Sequence, residues 1–66
     1  MHSGDDSGAL REYRGAVALD SRSSTAHSGL GLLYLKLGQK DKASAELTKA
    51  LQLDPNNTDA RAALRK

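Results

Sequence analysis

The chain has 66 residues, with ten Lys and Arg against eight Asp and Glu, and it contains no cysteine. A chain of this length forms one domain at most, and without cysteine no disulfide supports its small core. His2 and His27 lie far apart in the sequence and neither has a carboxylate cluster beside it, so no metal site is expected.

The formal net charge of +2 is not concentrated in one segment, and the aromatic residues are Tyr13 and Tyr34. Nucleic-acid binding usually depends on a clustered basic stripe with aromatic side chains, so we expect no nucleic-acid partner. The longest uncharged apolar run, Leu30–Leu35, is far shorter than the roughly 20 residues of a membrane-spanning helix. Residues 1–6 are polar and acidic, unlike a signal peptide, so we expect no direct membrane insertion and the compartment stays unknown.

Apolar residues recur three, four and seven positions apart, which predicts amphipathic helices and fails the alternation expected of strands. The first predicted helix covers Ser7–Leu19. The apolar side chains that share one of its faces are Ala9, Leu10, Tyr13, Ala16 and Val17.

The second predicted helix covers Ser24–Leu37, where one of the hydroxyl side chains at positions 23–25 can cap the N-terminus. Gly38 can end the helix in the left-handed conformation. Gly29 and Gly31 each cost about 1 kcal/mol of helix propensity relative to alanine, and glycines tolerated at that cost usually let another backbone come close. The predicted core face consists of Ala26, Leu30, Leu33, Tyr34 and Leu37.

A third helix is predicted over Lys40–Leu53, because Pro55 biases the preceding residue away from helical geometry. Asn57 or Thr58 can cap a short fourth helix that ends at Leu64. The apolar faces of these two helices consist of Ala43, Leu47, Ala50 and Leu51, and of Ala60, Ala63 and Leu64.

The chain also contains an internal repeat. When it is aligned with itself at a displacement of 34 residues, eight of the 32 overlapping positions are identical. Chance agreement would be nearer one position in about fifteen for ordinary residue usage. We therefore expect a structural unit of two helices that recurs along the chain. The identical pairs are Gly4/Gly38, Ala9/Ala43, Glu12/Glu46, Ala16/Ala50, Leu19/Leu53, Asp20/Asp54, Ala26/Ala60 and Leu30/Leu64.

The segment 24–57 resembles a tetratricopeptide repeat, a family whose pattern is W-x2-L-G-x2-Y, then A-x3-F, then P. The matching residues here are His27-x2-Leu30-Gly31-x2-Tyr34, Ala43-x3-Leu47 and Pro55. The resemblance implies an all-α fold of antiparallel helical hairpins, a fragment of an α-solenoid with about four helices.

Some positions depart from the family pattern. His27 stands where tryptophan is usual, and Leu47 stands where an aromatic residue is usual, so the core is smaller. The resemblance divides a single domain, residues 1–66, into three parts: 4–23 as the second helix of a partial repeat, 24–57 as a complete repeat, and 58–66 as a capping or partial helix. Arg65 lies where Gly31 lies one repeat earlier, which favours the capping interpretation because arrays need polar ends.

No catalytic set is apparent, so we expect neither an enzyme nor a cofactor. Ser28 follows His27 directly, and adjacent residues of a helix do not face each other. Gly29 and Gly31 lie within a helical pattern and are not followed by the G-K-[ST] of a phosphate-binding loop.

Tetratricopeptide arrays, by resemblance, bind extended peptides or helices on a concave surface formed by the first helix of each repeat. Two explanations of the leucines on that surface of the second helix stay open: a floor for a protein or peptide partner, or packing against a neighbouring helix. Some family members hold a terminal carboxylate with Lys and Asn, and serine and leucine stand at the matching positions here, which disfavours that ligand. The predicted partner-binding residues are Thr25, Ser28, Leu32, Leu35 and, at the edge, Lys36.

We therefore expect a protein–protein interaction or assembly module. One alternative is a repeat segment of a larger multidomain enzyme or of a secretion or assembly component. Another is a self-associating scaffold that pairs through the face of Leu10, Tyr13 and Val17.

Overall fold

The structure is a computed structural model that describes residues 5–65, and the side chains of residues 7–65. The described residues form four helices joined by short connections, which confirms the all-α prediction. The helices are α1 (Asp5–Leu19), α2 (Ser24–Lys36), α3 (Lys40–Leu53) and α4 (Thr58–Arg65).

Helices α2 and α3 form an antiparallel hairpin. The Ser24 hydroxyl at the start of α2 donates to the Ala50 carbonyl near the end of α3, at 2.8 Å. Further along α2, the Gly31 backbone approaches Ala43 near the start of α3. α1 packs on α2, while α4 packs on both α3 and α2.

Short polar side chains and one glycine set the helix ends. Ser23 caps α2, because its hydroxyl accepts a hydrogen bond from the Ala26 amide at 3.1 Å. Asn57 caps α4 in the same way, accepting from the Ala60 amide at 3.0 Å. Gly38 has a φ of +82°, the left-handed conformation predicted for the residue after α2.

The end of α2 closes with two further bonds from the amides of Gly38 and Gln39 to the carbonyls of Leu35 and Tyr34. This is a Schellman motif, and it ends the helix at Lys36 with Leu37 as the capping residue. Leu37 is 37% exposed, so its predicted place in the core is wrong: it lies beyond the last helical turn and no longer follows the buried face.

The core consists of small and medium apolar side chains. Leu47 is 1% exposed, and the alanines that surround it on α3 and α4 are fully buried. Tyr34, predicted as a core residue, is half-buried at the edge, with the Lys42 ammonium 5.8 Å from its ring centroid. The buried apolar residues are Ala26, Leu30, Leu33, Ala43, Leu47, Ala50 and Ala60.

Two glycines of α2 permit these close contacts. A Cβ placed on Gly31 would lie 2.6 Å from Leu47 Cγ and 3.2 Å from the Ala43 carbonyl oxygen. A Cβ on Gly29 would meet the ring of Tyr13 on α1. This geometry agrees with the prediction that both glycines allow a neighbouring helix to come close. At Gly29 the group that approaches is the Tyr13 side chain, whereas a backbone had been expected.

Candidate protein-binding surface

α2 lies at the centre of the described fold, since it packs against α1, α3 and α4. Most of its circumference is therefore covered. Ser28 is only 3% exposed, and Leu30 and Leu33 are buried at 3% and 8%. What stays open to solvent on α2 is a narrow strip, and any partner-binding role of this helix depends on the residues along it.

The exposed strip of α2 contains Thr25, Leu32, Leu35 and Lys36. Leu32 is 39% exposed and Leu35 is 37% exposed. At about 100° per residue these positions share one helix face, with the polar pair at its two ends and the leucines between them. We refer to these four residues as the α2 strip.

Ser28 does not belong to the α2 strip, although the sequence pattern placed it there. The serine is buried, and its hydroxyl turns back to donate to the Thr25 carbonyl at 3.0 Å. Its neighbour Gly29 lies under the ring of Tyr13 from α1. The expectation of an exposed Ser28 is corrected, because three helices pack on α2 and this short side chain cannot reach past them.

The two leucines of the α2 strip have different surroundings. Leu35 lines a cavity of about 430 Å³ together with Leu47 of α3 and Ala63 and Leu64 of α4. It therefore faces the neighbouring helices as well as solvent. Leu32 does not contribute to the lining of that cavity, and its exposed part is an apolar surface on the outside of the fold.

His27 occupies the position of the family tryptophan and is buried, with 4% of its surface exposed. Its Nδ1 lies 2.7 Å from Glu46 Oε1 on α3, and its Nε2 lies 2.9 Å from the Ser21 carbonyl oxygen. Because a carbonyl only accepts, Nε2 carries the proton of that bond. The ring thus joins the α1–α2 connection, α2 and α3, and no sequence signal pointed to its pairing with Glu46.

Asn57 connects the two ends of the hairpin to α4. Its side-chain amide donates to the Ser24 hydroxyl at 2.8 Å and to the Ser24 carbonyl at 3.3 Å, while its oxygen caps α4. The Ser24 hydroxyl in turn donates to Ala50. This network sets the position of α4 relative to α2, and so the shape of the surface next to Leu35.

The predicted self-association face on α1 is partly used within the chain. Tyr13 rests on Gly29 of α2 and keeps 39% of its surface exposed. Leu10 and Val17 are half-buried. Among the described residues, no group of three or more His, Cys, Asp or Glu is placed to hold a metal ion. The helices of the described part of the chain lack the combination of length and apolar character needed to cross a membrane.

Comparison with known proteins agrees with the fold. A family model described as "Tetratricopeptide repeat" matches residues 24–57, and one described as "TPR repeat" matches residues 1–38. The chain therefore belongs to the tetratricopeptide repeat family. Repeats of this family generally mediate protein–protein interaction and assembly. No solved structure gave a significant match.

Three similar curated proteins are named as parts of complexes. The chain is 35% identical over 86% of its length to "BBSome complex member bbs-4" of Caenorhabditis elegans, covering 12% of that protein. It is 37% identical over 70% of its length to "Anaphase-promoting complex subunit 3" of Schizosaccharomyces pombe, covering 7%. It is 39% identical over 86% of its length to "Anaphase-promoting complex subunit CDC16" of Saccharomyces cerevisiae, also covering 7%. The chain thus spans only a small part of the length of these relatives.

Proposed function

We propose that this chain is a non-catalytic interaction module that binds an extended segment or a helix of another protein along the α2 strip. The observation that carries the proposal is the pair of partly exposed leucines, Leu32 and Leu35, on the outer face of the helix that packs against every other described helix. A surface helix with one buried face is ordinarily polar on the opposite face.

The chemistry of the strip suits a partner with apolar side chains. Leu32 offers an exposed apolar surface, and Leu35 borders the cavity that it shares with Leu64. Adjacent apolar residues of this kind are typical of interaction surfaces, whereas solitary exposed leucines are common everywhere. Thr25 at one end can hydrogen-bond a partner backbone, and Lys36 at the other adds a positive charge.

The names of the relatives support an assembly role, since two are called subunits and one a member of a complex. A repeat segment that orients a catalytic or secretion part of a larger protein is the second candidate, and the small share of each relative that the chain covers is the observation in its favour. Both candidates use the same α2 strip for recognition.

The test uses a displayed library of random peptides selected on the wild-type chain. The selected peptides are then measured against Leu32→Asp and against Leu53→Asp, a matched control whose leucine is 37% exposed but lies at the end of α3. We expect Leu32→Asp to weaken binding about tenfold or more, because it buries a charge under the peptide. We expect Leu53→Asp to leave binding unchanged. Peptides that bind the Leu32 variant as tightly as the wild type would contradict the proposal.

A further inference from the structure

A second surface of the molecule lies beside α4, away from the α2 strip. It is an open cavity of about 490 Å³ that mixes apolar side chains with two guanidinium groups. It shares Leu64 with the cavity beside Leu35, and it contains no residue of the α2 strip. Its lining consists of Leu51 from α3 and Thr58, Arg61, Ala62, Leu64 and Arg65 from α4.

The internal repeat explains where this cavity lies. A displacement of 34 residues relates α4 to α2, and the α2 counterparts of three lining residues contact α3 in the complete hairpin. The cavity therefore occupies the place where a helix like α3 would pack on α4. The three pairs are Thr58/Ser24, Arg61/His27 and Arg65/Gly31.

The chain contains a helix that matches α3 in register, namely α1, and the matching face of α1 is only partly covered. Leu47 and Ala50 of α3 are 1% and 0% exposed. Their counterparts on α1 are Tyr13, which rests on α2 but is 39% exposed, and Ala16, which is exposed. Leu19, on the last turn of α1, is 91% exposed. α1 thus leaves partly open to solvent the face that corresponds to the buried face of α3.

The contact between His27 and Glu46 in the complete hairpin has a charged counterpart across these two surfaces. His27 and Glu46 meet at 2.7 Å within the hairpin. One repeat away, the residues at these positions are Arg61 on α4 and Glu12 on α1, and both are exposed. A cation and a carboxylate therefore stand ready to pair if a second α1 packs on α4 as α3 packs on α2.

The hydroxyl contact of the hairpin is preserved as well. Ser24 donates to the Ala50 carbonyl at 2.8 Å. The corresponding residues are Thr58, which keeps a hydroxyl, and Ala16, whose carbonyl lies in the last turn of α1. Two polar contacts of different chemistry thus have counterparts in the same register.

The third contact differs. Gly31 lies directly against Leu47 in the hairpin, and the corresponding residues are Arg65 and Tyr13. A side chain at this position excludes the close approach there, so the incoming helix must diverge from α4 at this end while the polar contacts hold the other end. At that separation the guanidinium can lie over the tyrosine ring, which is a favourable arrangement for a cation and an aromatic ring.

We propose that a second copy of this chain lays its α1 in the cavity beside α4, so that copies associate head to tail. The contact pairs two different surfaces, and each added copy leaves one of each surface free, so association continues beyond a dimer. On this proposal α1 of one copy packs on α4 of the next as α3 packs on α2. The proposal does not depend on the α2 strip.

Sedimentation equilibrium of the whole chain over a wide concentration range tests the proposal. We expect the average mass to rise with concentration beyond that of a dimer. Arg61→Glu and Glu12→Arg should each weaken association about tenfold or more, because each places like charges opposite one another. An equimolar mixture of the two variants should associate again. The glutamate introduced into one variant then meets the arginine introduced into the other, and the unchanged Arg61 and Glu12 also pair.

Arg11→Glu is the matched control, because it makes the same change of charge at an exposed position of α1 that takes no part in the transferred contacts. It should associate like the wild type, and circular dichroism should show unchanged helicity for every variant. A wild-type mass that does not rise with concentration overturns the proposal. A mixture of the two variants that stays monomeric also overturns it. So does a result in which Glu12→Arg loses association while Arg61→Glu associates like the wild type, because that would indicate pairing of α1 with α1.

Discussion

At the scale of single residues, the fold depends on the match between glycines and the side chains that press on them. Gly31 faces Leu47, and Gly29 faces the larger Tyr13. Ala63 corresponds to Gly29 one repeat later, and it packs against the cluster that contains Leu47. Leu47 corresponds to Tyr13 and is smaller. The size of the residue on one helix is thus balanced by the size of its neighbour on the next, as close-packed interiors require.

We expect Gly31→Ala to lower the free energy of unfolding. The new methyl group meets the buried Leu47 side chain and the Ala43 carbonyl oxygen, and overpacking of this kind costs about 1–3 kcal/mol. The gain in helix propensity, about 1 kcal/mol, offsets only part of that cost. Urea denaturation followed by circular dichroism measures the difference.

Gly15→Ala is the matched control for that experiment. A Cβ at Gly15 has no neighbouring atom within 4 Å, so the helix-propensity gain of up to about 1 kcal/mol acts alone and raises the urea midpoint. If Gly31→Ala raised the midpoint as Gly15→Ala does, the close packing of α2 on α3 described here would be wrong.

Residue environments that depend on distant neighbours could not be predicted from the sequence. The burial of Ser28 depends on the helices that pack on α2, which helical periodicity alone does not include. The partner of His27 is Glu46, nineteen residues away on another helix. The pair is detectable only once the hairpin register is known, and the family pattern suggested an apolar role for this position.

At the scale of helices, the sequence was more informative, because local chemistry sets the helix ends. The predicted bounds of α3 agree with the structure, and Ser23, Gly38 and Asn57 act at the ends where they were expected. The first helix begins at Asp5, two residues before the predicted start. Leu37 was predicted in the core but is exposed, because the Schellman motif ends α2 at Lys36.

We expect Asn57→Ala to loosen α4 selectively. The change removes the cap, which costs about 1–2 kcal/mol, and it removes the two bonds to Ser24 that hold α4 to α2. Amide hydrogen exchange should show faster exchange in α4, while α2 and α3 exchange as before.

Asn56→Ala is the control for the cap, because Asn56 is exposed and its backbone amide, not its side chain, makes the bond to Asp54. It should leave the exchange of α4 amides unchanged. Equal protection of α4 in the Asn57 and Asn56 variants would show that the network does not position this helix.

At the scale of the whole molecule, helix packing and the proposed recognition both involve α2. This helix packs on the other three, so its buried face is committed to the core and its remaining surface is the α2 strip. Helices α1 and α4 have a different character: α4 borders a partly open cavity, and α1 leaves partly exposed the face that α3 buries. The proposed recognition by α2 and the proposed association through α1 and α4 therefore use different surfaces.

Chemical-shift mapping locates the surface that binds a partner without any substitution. A peptide selected on the wild-type chain is titrated into isotopically labelled protein while the backbone amides are followed. We expect the largest shifts to fall within residues 25–36, centred on Leu32 and Leu35, with α1 and the cavity side of α4 little changed. Shifts concentrated on α1 or α4, with the amides of α2 unmoved, would show that the α2 strip is not the binding surface.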